Sequence, residues 1–271
     1  MHDTTQCANC GRAIDDGAQK FCPACGQPTP AHRIDWHFLG HELEHSVLHM
    51  DRGVLYTLKE LMLRPGQLIR DYIEGRRAHL VKPLLLVMMV TALVTLLSYY
   101  LTGGDILAAS LNDQMQAARK NSDASAEALA AVSQAFTAVA GWVDRHFAVA
   151  SLLLIPIQAL CFRIAFGRMR SLNYPEWLVI TMFLTAQALL IWAIGIPLAR
   201  FWPPSKQLML VPMIIYNIVS LVQFFRPYPR WKSALRAIGG YALYMIGSQL
   251  FLLGVVIVLV IIAGFRAAQG G

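Results

Sequence analysis

Four cysteines fall in two Cys-x-x-Cys-Gly knuckles, Cys7 and Cys10 before Gly11, and Cys22 and Cys25 before Gly26. Two thiolates spaced this way grip one ion from a tight turn, and four of them make a closed tetrahedral set. A closed set has no open position for substrate, so the implied role is structural. Zinc is the expected ion, and iron in a rubredoxin-like site is the other ion that four thiolates accept. Glycine after each second cysteine tolerates the left-handed backbone that turns amides toward sulfur. Thiolates held ready for metal require a reducing compartment, which places the N-terminus in the cytosol. Cys161 stands alone in an apolar run and reads as a small buried residue.

A second group follows. His37, His41, His45 and His49 recur at four-residue steps on one helical face, and Asp51 comes next. His41-Glu42-Leu43-Glu44-His45 fits H-E-x-x-H, in which two histidines one turn apart hold zinc and the glutamate activates water. On that reading Glu42 is the general base, and His41 and His45 are ligands with His49 or Asp51. A hydrolase of this kind also needs a third ligand and an open coordination position. The competing reading is an interfacial helix whose histidines are solvated or touch lipid phosphate.

The elements that position these residues belong to a membrane protein. Of 271 residues 56% are hydrophobic and 14% charged, against about a quarter charged in soluble domains. The apolar residues gather into five blocks, about 84–101, 147–162, 177–198, 208–225 and 241–263. Each is near the ~17–25 residues that cross a bilayer as a helix. The expected fold is therefore all-α and polytopic. A ribbon (1–27) and a segment of linker and juxtamembrane amphipathic helices (28–83) precede a five-helix transmembrane domain (84–265). Residues 1–35 lack the apolar core of a signal peptide, so the first span is expected to direct insertion.

Within 28–83, Trp36, Leu39, Leu43, Val47, Met50 and Val54 give a helix over about 35–63 one apolar face. Arg64-Pro65-Gly66 breaks it. Gln67 to Gly75 carries Leu68, Ile69, Tyr72 and Ile73 beside Arg70, a pattern suited to the headgroup boundary. In the long loop 102–146, Leu129, Val132, Phe136, Val139 and Val143 predict a further amphipathic helix from about Asp123.

Basic residues set the orientation. Arg64, Arg70, Arg76, Arg77 and Lys82 precede the first block, Arg163, Arg168 and Arg170 follow the second, and Arg226, Arg230, Lys232 and Arg236 separate the last two. That bias places the N-terminus inside and, with five crossings, the C-terminus outside. The net charge of +7 is absorbed by these flanks, with anionic headgroups expected near Arg70, Arg76, Arg77 and Lys82 and no nucleic acid. The apolar blocks hold no Asp, Glu, Lys, Arg or His in their cores, against expectation for ion-coupled transport. Gln158, Gln187, Asn217 and Gln249 are expected to bond between helices.

From Cys22 to Pro83 the chain shows Cys22-Pro-Ala-Cys25-Gly26-Gln27, Arg33-Ile34, His41-Glu42, His45, His49-Met50-Asp51, Thr57-Leu58, Leu61, Arg64-Pro65-Gly66, Tyr72, Gly75-Arg76-Arg77 and Pro83. This run resembles an uncharacterised bacterial membrane-protein family, domain of unknown function 3667. The resemblance implies a bacterial inner-membrane location and no established activity. Because its pattern includes His41, His45, His49 and Asp51, it implies a metal-binding or catalytic role for them beyond lipid contact. The expected function is a non-catalytic membrane component that binds a partner, through the ribbon, or senses metal. A membrane-bound metal-dependent hydrolase on the histidine helix is the alternative, and a small-molecule or lipid translocator a more distant third.

Overall fold

The structure, a computed structural model, describes residues 6–14, 19–29, 31–45, 53–104, 126–167, 172–198, 201–202 and 208–269, with the backbone alone for 41–45, 126–132 and 263–269. Its described helices are α1 (Trp36–His45), α2 (Val54–Leu63), α3 (Pro65–Ile73), α4 (Pro83–Thr102), α5 (Ala126–Arg145), α6 (Phe147–Phe166), α7 (Tyr174–Leu198), α8 (Leu210–Phe224) and α9 (Arg230–Gln269). Strand character among these residues is confined to two isolated bridges in the ribbon, Gln6 with Ala13 and Phe21 with Pro28.

Among the described residues four helices are long and apolar enough to cross a membrane: α4, α6, α7 and α9 over Arg230–Ile262. They correspond to four of the five expected blocks. The fifth, 208–225, forms a shorter helix: α8 has 15 residues. At 1.5 Å per residue this is about 22 Å, short of a ~30 Å hydrocarbon core. Its path is nevertheless a full return along α7. Met209, just before α8, lies against Gly195 near the far end of α7, and Phe225, just after it, stacks near Trp177 at the ribbon end.

The core is built on α7, which is buried along most of its length and touches α4, α6 and α8. Trp177, Val179, Ile180, Phe183, Leu184 and Ala186 are sealed inside. Outward-facing residues stay apolar, among them Leu93, Leu96, Leu153, Leu160, Leu250 and Ile257. An apolar exterior around an apolar core is the pattern expected where lipid is the solvent.

The α6–α9 pair is set by small residues. A Cβ on Gly240 would overlap the Phe162 ring, and Gly247 lies against Ile157 and Cys161. This close approach is how helices gain contact where no hydrophobic drive separates them from lipid. The expected loop helix is present as α5, whose Ala135 and Val139 pack on Val256 of α9. The expected single helix over 35–63 does not run through Gly53, a turn residue that N-caps α2; α1 and α2 are described, and residues 46–52 lie outside the described part. Asp35 starts α1 by accepting the Phe38 amide at 2.7 Å, an N-cap.

Segment α3 differs from expectation in where it puts its apolar face. Leu68, Ile69, Tyr72 and Ile73 are all buried in the protein core. Tyr72 meets Phe183 of α7 edge-on at 5.2 Å. Gly66 lies so close to α8 that a Cβ would stand 2.5 Å from the Ser220 carbonyl and 2.6 Å from the Phe224 amide nitrogen. A headgroup-lying helix and a groove-filling helix share one periodicity, and here the groove between α7 and α8 takes it.

Candidate metal centre and its docking junction

Each ribbon knuckle is built the same way. The Cys7 amide donates to Arg12 O at 2.8 Å and the Gly11 amide to Cys7 O at 2.9 Å. In the second, Cys22 N donates to Gln27 O and Gly26 N to Cys22 O, both at 2.8 Å. Both glycines sit at φ 72°, the left-handed turn that only glycine enters freely. One isolated bridge closes each hairpin.

The two hairpins bring their sulfurs together. The four Sγ atoms lie within 4.8 Å of one another, with Cys7–Cys25 and Cys10–Cys22 at 3.6 Å. A tetrahedral ion with metal–sulfur bonds of about 2.3 Å needs sulfur separations of about 3.8 Å, so the donor set fits one metal ion. Among the described residues this is the group that could hold a metal.

The thiols are electrostatically unequal. Cys22 is pulled down to about 6, chiefly by the Ala24 amide, with the Cys25 amide and the Cys10 and Cys25 thiols adding to it. The Arg12 amide also lowers Cys10, but desolvation and the three neighbouring thiols outweigh it and push that group up to about 11. A first thiolate therefore forms readily at Cys22. The last proton leaves only when a cation replaces it.

The ribbon is docked, not free. Gln27, buried after the second knuckle, accepts the Arg77 amide at 3.0 Å. Gly75, at φ 89°, leaves room for Ala31, and a Cβ there would also come near Ala8 of the first knuckle. The Arg77 guanidinium donates to Tyr72 O at 2.9 Å and His32 O at 3.3 Å, and its carbon lies 4.4 Å from the Phe38 ring centroid.

A second clamp follows at once. Arg33 grips Glu176 in a fork, Nε to Oε1 at 2.8 Å and Nη2 to Oε2 at 3.0 Å. Glu176 also accepts the Asn173 amide at 2.7 Å, while Asn173 Oδ1 accepts the Glu176 amide at 2.8 Å. That reciprocal pair is a capping box starting α7. Asn173 Nδ2 then donates to Ile34 O at 2.7 Å. Arg33 and Ile34 stood in the sequence motif, but Asn173 and Glu176 were not singled out. The signal available was the Asn-x-x-Glu spacing just before a long apolar run.

Arg70 and Arg76, two of the basic residues expected near headgroups, have protein partners here. Arg70 donates to Gln223 O at 2.9 Å and to Phe224 O, so it closes the C-terminus of α8. Arg76 joins Asp71 at 2.6 Å and Glu74 at 2.7 Å. Arg236 likewise donates to Phe166 O at the end of α6. Cations at helix C-termini complement the macrodipole.

The histidine cluster is not assembled by the described residues. His37 is exposed on α1. The side chains of His41, Glu42 and His45, and all of His49 and Asp51, lie outside the description. In the bundle, Gln158 accepts from Thr185 at 3.1 Å, Gln187 accepts from Ser220 at 2.9 Å, and Asn217 donates to Leu184 O at 3.2 Å and Tyr241 at 2.6 Å. Gln249 is exposed on α9. Three of the four polar residues thus bond between helices, as expected, and draw no continuous polar path.

No curated protein and no solved structure matches this chain. One family model does, described as "Protein of unknown function (DUF3667)", over 45 of the 271 residues. The matched stretch runs from just before α2 through α3 into α4, and so contains the Gly75–Arg77 turn on which the ribbon rests. Residues 51–95 are thus similar to the domain of unknown function 3667.

Proposed function

We propose that this chain is a non-catalytic bacterial inner-membrane protein whose cytosolic zinc ribbon is a metal-dependent clasp on the membrane domain. The observation that carries this reading is the docking of the second knuckle through Gln27 onto Arg77, in the turn between α3 and the first long apolar helix. Metal binding folds the ribbon, and the folded ribbon braces that turn. The cytosolic face so formed is where a protein partner or a change in metal supply is read. The return of α8 beside α7 supports five crossings, with the N-terminus in the cytosol and the C-terminus outside.

Metal analysis of purified full-length protein tests this. One zinc per chain is expected in the wild type and in a His41→Ala/His45→Ala variant, and none in Cys22→Ser/Cys25→Ser. Two metals in the wild type, one lost in the double-histidine variant, would instead place a second metal site on the histidine helix, as the hydrolase reading requires. The thiolate at Cys22 is favoured above about 6 and is lost as pH falls through that value. Retained zinc should therefore drop as pH is lowered from 7 to 5.

A further inference from the structure

On α3 the residues Gln67, Arg70, Asp71 and Glu74 are spaced as one helical face, opposite the buried Leu68, Ile69, Tyr72 and Ile73. This polar face does not end on bulk water alone. With Arg76, and with Gln223 and Arg226 from the end of α8, it lines a pocket of about 270 Å³. That is near the lower edge of the ~300–1,000 Å³ typical of small-molecule sites.

The charges in the pocket are sorted by wall. The α8 wall contributes Arg226, and the Arg70 guanidinium leans onto the same wall through the Gln223 and Phe224 carbonyls. Asp71 and Glu74 line the α3 wall and converge on Arg76. A plain anion would meet two carboxylates, and a plain cation would meet three guanidiniums. A ligand carrying both charges a few ångströms apart can set its cationic end on Asp71 and Glu74, shared with Arg76, and its anionic end on Arg226 and Arg70. The pocket also opens at a definite level. Beside it Phe225 stacks on Phe166 at 4.5 Å, where α6 and α8 end and α7 begins. In the membrane reading this is the height of the headgroups, where aromatic side chains gather.

We propose that this pocket binds a phosphoethanolamine group, its phosphoryl oxygens on Arg226, Arg70 and the Gln67 and Gln223 amides, and its primary ammonium on Asp71 and Glu74. Guanidinium groups suit phosphoryl oxygens, and carboxylates accept the three N–H donors of a primary ammonium. The group reaches the site either as the headgroup of a phospholipid or as a soluble phosphomonoester. The lipid source rests on the membrane reading above, whereas the chemistry of the site does not.

Calorimetric titration of full-length protein in phosphate-free detergent tests the assignment. The probes are O-phosphoethanolamine, short-chain phosphatidylethanolamine, its choline counterpart and inorganic phosphate. Saturable binding of at least one ethanolamine probe is expected, with choline lipid and phosphate at least tenfold weaker. Arg226→Gln, at an exposed position, should weaken that binding at least tenfold, and Glu74→Gln should weaken the ethanolamine probes while leaving phosphate unchanged. Phosphate or choline lipid binding as tightly as the ethanolamine probes overturns the assignment, as does an Arg226→Gln protein that binds normally. A lipid probe tenfold tighter than the soluble one identifies the leaflet as the source, and equal or tighter soluble binding identifies the free phosphomonoester. If alkali strips the protein from membranes while O-phosphoethanolamine still binds, the membrane reading fails and the site stands.

Discussion

Arg33 and Glu176 are joined by two short hydrogen bonds, yet they are unequal partners. The guanidinium side chain is 59% exposed and the carboxylate 4%. Removing the arginine strands a buried charge, whereas neutralising the glutamate lets the arginine return to water. Gln at 176 also keeps an oxygen for the Asn173 amide. Arg33→Ala is therefore expected to cost about 1.5–3 kcal/mol, the range for hydrogen bonds to charged groups, and Glu176→Gln about 1 kcal/mol. Thermal unfolding in detergent would rank the two, and equal losses would mean that the carboxylate is better solvated than its burial indicates. None of this pairing could be read along the chain, because 143 residues separate the partners. The cysteine knuckles, by contrast, were legible in full: their geometry is set within six residues by turn and glycine.

At the scale of elements, α3 shows what periodicity can and cannot decide. The alternation of its two faces predicted an amphipathic helix from Gln67, and Pro65, read only as part of a break, also starts that helix at N1. The pattern did not say whether lipid headgroups or neighbouring helices cover the apolar side. That choice depends on Gly66, whose missing side chain lets α3 approach α8, and on Tyr72 reaching Phe183. Gly66→Ala should force the two helices apart at a cost of about 1–3 kcal/mol, as overpacking of tight cores does. A lowered melting temperature with metal content unchanged is the expected result. An unchanged melting temperature would show that the α3–α8 contact is looser than the close approach of Gly66 implies. The length of α8 was equally illegible, since an apolar block does not reveal where hydrogen-bonded helix stops within it.

For the whole molecule the number of crossings reduces to the fate of the C-terminus. If α8 completes a crossing, the ends of the chain lie on opposite sides of the membrane; if it does not, they share a side. A reporter active only in the cytosol, fused after Gly271, should be silent while the same reporter fused before Met1 is active. Activity at both ends would reduce the bundle to four crossings. Hydropathy made the long helices plain, and it could not settle this one because 15 residues fall below the length a crossing ordinarily needs.

The ribbon's two matching hairpins have one more consequence. Their buried cysteines do not join the apolar core of the bundle, and Phe21 between them points outward. With so little greasy interior, neither hairpin has reason to persist without the other, and in the proposed reading a bound ion unites them. Occupancy then behaves as a ligand-driven folding equilibrium, stabilised by RT ln(1 + [L]/Kd). The grip of Gln27 on the turn ahead of α4 would follow the logarithm of free metal and fall away as a unit, without a half-folded stage.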